Sequence, residues 1–530
     1  MSEHGPQRWV GDLSGKRAAL TPQRVGLVDA TTGREFTYAD LDRRANRCAE
    51  LLAAHGVSKT GARAEADGPG DGTVGGRVAV VSRNRPEVVD LFFATGKTGG
   101  VLAPLSHRLA TPELAELLDS VDPDLLVVEE PFADDIARAL ESAVIADGTT
   151  VLSLPVDGEH TWDAFGSAVD EAGDSGAYES SAATVAPEDA HLFLHTGGST
   201  GTPKETVVSH ESVVWNSLNT ITAWGLRADD ATPMVFPMFH TGGWNVLTVP
   251  LFHMGGEVVI DREFDPGEIL RLIDERGANV LVAVPAVLRM MVDHDRWPET
   301  DLSTLRFVKS GGGPCREAVM EAWWDRGVDL SQGYGLTECG PNNFAMPDDW
   351  PREKAHTVGV ANPHVDARVV EDGTELEAGA IGELELRSPH AADGYWKNPE
   401  ETAATFGEWV STGDLARIDG DGYVSIEGRK KNMFVSGGEN VYPAEVEDAI
   451  AAHPSVEEVV VIPVPDEQWG QVGKAVVEGD GSLTLADLEA FLGDRLARFK
   501  HPRLLAFVDE MPTSGPSKID REAVRERFGE

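Results

Sequence analysis

Nine consecutive residues, Thr196-Gly197-Gly198-Ser199-Thr200-Gly201-Thr202-Pro203-Lys204, hold three glycines, four hydroxyls and one lysine. Glycines let backbone amides approach an anion, hydroxyls donate further hydrogen bonds, and an ammonium supplies compact charge. That inventory suits a polyphosphate. The Walker pattern is absent, because Pro203 precedes the lysine and Glu205 follows it where Gly-Lys-Ser/Thr is required. Gly197-x-Ser199-x-Gly201 also matches the nucleophile elbow of a hydrolase, which would make Ser199 a nucleophile. The elbow needs a helix directly behind the serine, and Pro203 would break it. A flexible Gly/Ser turn is the third reading of the segment.

Four later segments carry related chemistry. They are Gln332-Gly333-Tyr334-Gly335-Leu336-Thr337-Glu338, Ser411-Thr412-Gly413-Asp414, Gly428-Arg429-Lys430-Lys431 with Ser436-Gly437-Gly438-Glu439-Asn440, and residues 512–518 ending in Lys518. Together with the loop, in this order and spacing, they resemble the signature of the adenylate-forming (ANL) superfamily in its acyl-CoA and aryl-CoA synthetase branch. The resemblance runs from about residue 36 to residue 521, and five ordered motifs make it specific.

The resemblance implies a role for each residue. Thr196, Ser199, Thr200 and Lys204 would hold the β- and γ-phosphates of ATP, with Gly197, Gly198 and Gly201 giving backbone access. Gly311-Gly312-Gly313-Pro314 would line the adenine, and Tyr334, between Gly333 and Gly335, would stack on the base. Thr337 would bond the α-phosphate, and Glu338 would bind Mg²⁺, a hard cation that prefers oxygen ligands. Asp414 would accept the ribose hydroxyls, with Arg429 beside it. Lys518 would be catalytic: a carboxylate attacking a phosphate brings two anions together, and a cation between them helps most in the transition state. Lys431 resembles a hinge for a mobile C-terminal domain. Gly437 and Gly438 would line a passage for the pantetheine arm of CoA.

Three positions depart from the family pattern: Glu205, Asn432 and Ser517 stand where Gly, Asp and Gly are usual. Glu205 is the most awkward, since its charge opposes ATP unless the side chain points away. The segment Phe239-His240-Thr241-Gly242-Gly243-Trp244-Asn245 resembles the border of the acid pocket. His240 gates the pocket, faces the reacting carboxylate or is structural, and Trp215, Trp244, Asn245 and Lys309 are candidate wall residues. A surface position is the ordinary alternative for Lys309. The acid is left open between fatty, aromatic and other classes. CoA is the expected acceptor, with a carrier protein, or nitrite activation toward an arylamine, as alternatives.

These residues need strands to end at the cleft. Helical and strand-like patterns alternate from Phe36 onward, which implies α/β layers. Leu41, Ala45, Cys48 and Leu52 share one helical face; residues 78–81 and 192–194 read as strands, and Thr111-Pro112-Glu113 as a helix start. The expected division is a large N-terminal multilayer αβ domain, 1–428, and a small α+β domain, 429–530. The small domain should contain a helix over 445–452, a strand over 459–462 and a helix over 485–499.

The chain has 530 residues, 45 Lys+Arg against 89 Asp+Glu and a net charge of −44. Such a field repels phosphate backbones and anionic lipid, so nucleic-acid and membrane-surface roles are disfavoured. No apolar run suits a signal peptide or a membrane span, which points to the cytoplasm. Cys48, Cys315 and Cys339 give neither a disulfide framework nor a zinc spacing. The expected partners are a small-molecule acid, ATP with Mg²⁺, and CoA or another acceptor, with the chain a monomer or homodimer.

Overall fold

Thr37 and Asp40 cap the first long helix, Tyr38–Ala54, reciprocally: Asp40 N donates to Thr37 Oγ1 and Thr37 N to Asp40 Oδ2, satisfying two orphan amides. Leu41, Ala45, Cys48 and Leu52 are all buried on its inner face. The computed structural model describes residues 10–65, 68–143, 145, 148–173, 178, 185–196, 204–436, 439–466, 468–479, 481–493, 495–513 and 519–529. They divide into two compact units. The larger comprises Met1–Trp350, Val360–Asp366 and Leu386–Val410; the smaller comprises Pro351–Gly359, Ala367–Glu385 and Ser411–Glu530.

The larger unit is built on a seven-stranded sheet in the order Gly394–Tyr395, Lys204–Ser209, Ala190–Thr196, Val101–Leu105, Arg77–Val81, Leu125–Glu129, Thr150–Leu154. From Ala190–Thr196 outward to Thr150–Leu154 the strands run parallel. Three of them, Arg77–Val81, Val101–Leu105 and Leu125–Glu129, are buried at every position, as a parallel sheet covered on both faces requires. Two apolar clusters cover those faces. One contains Leu41, Phe92 and Trp244, the other Leu117, Val128 and Phe193. A second parallel sheet joins Val280–Ala283, Phe307–Ser310 and Leu330–Gln332. The helix expected at Thr111 begins with Thr111 as its first helical residue; the cap is Ala110, whose amide donates to Glu113 Oε2 at 2.8 Å.

The smaller unit holds the greater part of a five-stranded sheet ordered Thr374–Glu375, Asp366–Glu371, Ile381–Arg387, Val410–Ile418, Val424–Arg429. Because these strands pair with one another, packing divides the chain within Val410–Ile418 and assigns two earlier segments to this unit. Residue 428 lies next to the last position of the strand Val424–Arg429. The last sheet centres on Gly470–Glu478, paired antiparallel with Glu458–Asp466 and parallel with Leu504–Val508. The strand expected at 459–462 is longer because its pairing continues from Glu458↔Glu478 to Asp466↔Gly470. The helix expected over 485–499 is shorter: Leu485–Leu492 ends at Gly493, and Arg498–Lys500 forms a separate 3₁₀ turn. Glycine lowers the propensity to continue a helix. The three cysteines are buried and form no disulfide.

Candidate active site

Strands Ala190–Thr196 and Lys204–Ser209 form an antiparallel pair with Thr196 opposite Lys204, and the glycine- and hydroxyl-rich segment lies between them in sequence. Residues 197–203, with Gly197, Gly198, Ser199, Thr200 and Gly201, lie outside the described residues. A strand follows the segment, not a helix, which removes the strand–turn–helix geometry that a nucleophile elbow at Ser199 requires. Lys204 Nζ is ion-paired with Glu401 Oε1 and stands 5.1 Å from the ring centroid of Tyr395.

Alternation along the strand sends Glu205 to the opposite face. There it is 3 % exposed and accepts a hydrogen bond from Ser120 Oγ at 2.6 Å, while its Oε1 has no hydrogen-bond partner among the described residues. Burial pushes its carboxyl up to about 7. The unusual acid therefore points to the face opposite Lys204. Its folded pKa lies above the ordinary glutamate value, so its contribution to stability is full below about 4.5 and is lost as pH rises through 7. Glu205→Gln is therefore expected to unfold several degrees above wild type at pH 8, with the gap closing at pH 4.5. Thermal unfolding at the two pH values checks this, and an equal difference at both contradicts the assignment.

The nucleotide motifs come from the carboxyl ends of adjacent parallel strands, where α/β sheets bind ligands. Ser310 pairs with Gln332, and Gly333 N donates to Ser310 O at 2.8 Å. Gly311-Gly312-Gly313 thus lies beside Gly333-Tyr334-Gly335. A Cβ at Gly311 or Gly313 would meet nothing within 4 Å, which leaves the backbone there open to a ligand. One at Gly335 would lie 2.1 Å from Pro341 O. Only glycine fits position 335. Tyr334 is half-buried with its ring 5.8 Å from Phe344.

Thr337 opens a short 3₁₀ turn, Thr337–Cys339, that carries Glu338. Tyr395 Oη donates to Glu338 Oε1 at 2.9 Å, and burial, with that carboxylate second, raises the pKa of the phenol and holds it protonated. Among the described residues no three His, Cys, Asp or Glu side chains cluster as a complete metal shell. A lone carboxylate beside a polyphosphate site is how Mg²⁺ is commonly held, with substrate oxygens completing its shell. The donor set therefore fits the metal.

In the smaller unit Asp414 is 4 % exposed and pairs with Arg429 Nε at 2.7 Å across neighbouring strands. Lys431 is exposed in the turn Lys430–Asn432. Gly437, Gly438 and Lys518 lie outside the described residues.

The acid-pocket candidates are placed unequally. His240 is exposed, with its ring 4.5 Å from Phe239 and 6.1 Å from His195. Asn245 is buried; its Nδ2 donates to Thr241 Oγ1, and its carbonyl accepts from Asn216 Nδ2 at 2.5 Å and Asn342 Nδ2 at 3.1 Å. Trp244 is 0 % exposed, stacked on Phe92 at 4.7 Å, with its indole N–H donated to Met238 O. It is a core residue. Trp215 is half-buried and donates to Glu211 Oε1. Lys309 is not on the surface: it is 7 % exposed, donates to Ser331 Oγ and lies 5.1 Å from the Trp224 ring, and burial pushes it down to about 8.

Sequence reasoning missed Tyr395 and Glu401, which hold Glu338 and Lys204. The local signal was a helix start, Asn398 capping Pro399–Thr405. Nothing local indicates that Tyr395 pairs with Thr206.

The family model described as AMP-binding enzyme matches residues 15–396, and that described as AMP-binding enzyme C-terminal domain matches 445–518. A feruloyl-CoA synthase from Amycolatopsis sp is 35% identical over 524 residues, covering 98% of this chain and 99% of the relative. The indoleacetate–CoA ligase of Aromatoleum aromaticum is 35% identical over 518 residues, covering 96% of each. ATP-bound MatB from Rhodopseudomonas palustris superposes with a TM-score of 0.84 at 31% identity, over 98% of this chain and 99% of that one. Motifs, fold and relatives agree, and the chain belongs to the AMP-binding enzyme family, the adenylate-forming ligases of the acyl- and aryl-CoA synthetase type.

Proposed function

We propose that the protein activates an aromatic carboxylic acid with ATP, forming an acyl-adenylate and pyrophosphate, and then transfers the acyl group to the thiol of CoA. The observation that carries this reading is the convergence of Lys204 and Glu338 on one tyrosine, which provides a cation for phosphate oxygens beside a carboxylate suited to Mg²⁺. Mg²⁺ would neutralise phosphate charge, held by Glu338. Lys204 and Thr196 bind the β- and γ-phosphates, Thr337 the α-phosphate, and Tyr334 with Gly311-Gly312-Gly313 the base. Asp414 and Arg429 take the ribose. Lys518 draws the carboxylate and the α-phosphate together, Lys431 is the hinge on which its domain turns between half-reactions, and Gly437 and Gly438 admit the pantetheine arm. The functional boundary then falls at 428, at the end of the strand Val424–Arg429.

The aromatic class is supported by the names of the feruloyl and indoleacetate ligases. Pyrophosphate release is measured with benzoates, cinnamates, fatty acids, and nitrite with an arylamine, each with and without CoA. Turnover with aromatic acids that yields a thioester is expected. Turnover only with fatty acids contradicts the substrate class, and nitrite- and arylamine-dependent turnover without CoA contradicts the acceptor.

A further inference from the structure

We infer that Tyr395 is a positioning residue for the Mg²⁺·ATP site, holding its cation and its carboxylate apart and each in place. The inference rests on the proposed reading of Lys204 and Glu338. Tyr395 is 6 % exposed and lies in the two-residue strand Gly394–Tyr395, which pairs with the strand that Lys204 begins. Its own amide donates to Thr402 Oγ1 at 2.9 Å, and its ring meets Phe406 edge-on at 5.3 Å. The side chain is therefore fixed by its neighbours and reaches both charged groups from that fixed position. Its hydroxyl donates to Glu338 Oε1 at 2.9 Å, and its ring faces Lys204 Nζ at 5.1 Å.

An ammonium and a carboxylate in one cleft attract each other, and a direct Lys204–Glu338 pair would cancel the charges that nucleotide and metal need. The phenol meets each charge with a neutral group. A π face attracts the cation, and an O–H satisfies one carboxylate oxygen while the other oxygen and the full negative charge stay available. Lys204 is balanced instead by Glu401, more than a third of whose side chain is exposed, so solvent weakens that pair and the lysine can leave it for phosphate.

The test separates hydroxyl from ring. Tyr395→Phe keeps the ring, its packing and its face toward Lys204, and removes only the O–H. Its dissociation constant for Mg²⁺·ATP, measured by titration calorimetry, is expected to rise about tenfold, as loss of a hydrogen bond to a charged group gives. Its affinity for ATP in EDTA should be unchanged. The Mg²⁺ concentration for half-maximal pyrophosphate release should rise by a similar factor, with KM for the acid unaltered. In a Glu338→Gln background the same substitution should add no further Mg²⁺ effect, because the two act through one contact. Equal weakening with and without Mg²⁺ would mean a merely structural tyrosine and overturns the inference, as does no change in either. Wild-type protein that binds no nucleotide overturns the underlying reading and this inference with it, an outcome recognisable before any variant is made.

Discussion

Lys518→Ala is expected to lose adenylate formation almost completely, by a factor of about 10² to 10³, while thioester formation from added acyl-adenylate proceeds at close to the wild-type rate. The size follows from removing the charge proposed to screen two oxyanions as they meet, which is comparable with deleting an oxyanion-hole donor. The asymmetry is the sharper part. In the second half-reaction the α-phosphate is already esterified and the incoming group is a thiol, so no second anion needs screening at the phosphorus and the lysine has nothing left to do. Single-turnover assays of each half-reaction check this. Equal loss in both halves would indicate a structural lysine, and unchanged adenylation would remove Lys518 from the mechanism.

Glu338→Gln is expected to lower kcat/KM for Mg²⁺·ATP by about 10² or more. The amide is nearly isosteric with the acid and can still accept a hydrogen bond from Tyr395 Oη, so packing is preserved. What disappears is one negative charge at the site proposed for the metal, and metal-assisted charge stabilisation is worth several kcal/mol. Thermal stability without nucleotide should stay close to wild type, whereas the stabilisation that Mg²⁺·ATP gives the wild type should largely vanish. Steady-state kinetics over a Mg²⁺ series, with melting curves in parallel, measure both. A variant with normal Mg²⁺ dependence would show that Glu338 does not hold the metal.

The legible parts of the molecule were those written locally. The apolar spacing of Leu41, Ala45, Cys48 and Leu52 identified a helix because a helical face is a local periodicity, and all four are buried on it. The family was legible because five motifs stand in its order and spacing, and its models match residues 15–396 and 445–518. The direction of Glu205 was not readable: Thr206 and Val208 on one face and Val207 on the other are all buried, so a period-two reading does not tell the faces apart. Lys309 shares parity with Phe307 and follows it onto the same face. A charged side chain is not expected in such a place.

Tyr395 and Glu401 were not legible, because their role arises from pairing between positions almost 190 residues apart in sequence. Register across such a distance is fixed by the whole sheet and leaves no trace in the segment itself. Trp244 shows the converse. Its place beside His240 suggested a pocket wall, yet its ring stacks on Phe92 in the core, and an aromatic in an active-site segment carries no mark of which side it faces.

The adenylate itself is the central claim, and isotope transfer tests it most directly. With acid labelled by ¹⁸O in both carboxylate oxygens, attack on the α-phosphorus puts one labelled oxygen between acyl carbon and phosphorus. Thiol attack at the carbonyl then releases AMP carrying that oxygen. Mass spectrometry of the products of a CoA-dependent turnover should find one ¹⁸O in AMP and none in pyrophosphate. Label in inorganic phosphate with ADP as the nucleotide product, or AMP without label, would contradict activation through an acyl-adenylate.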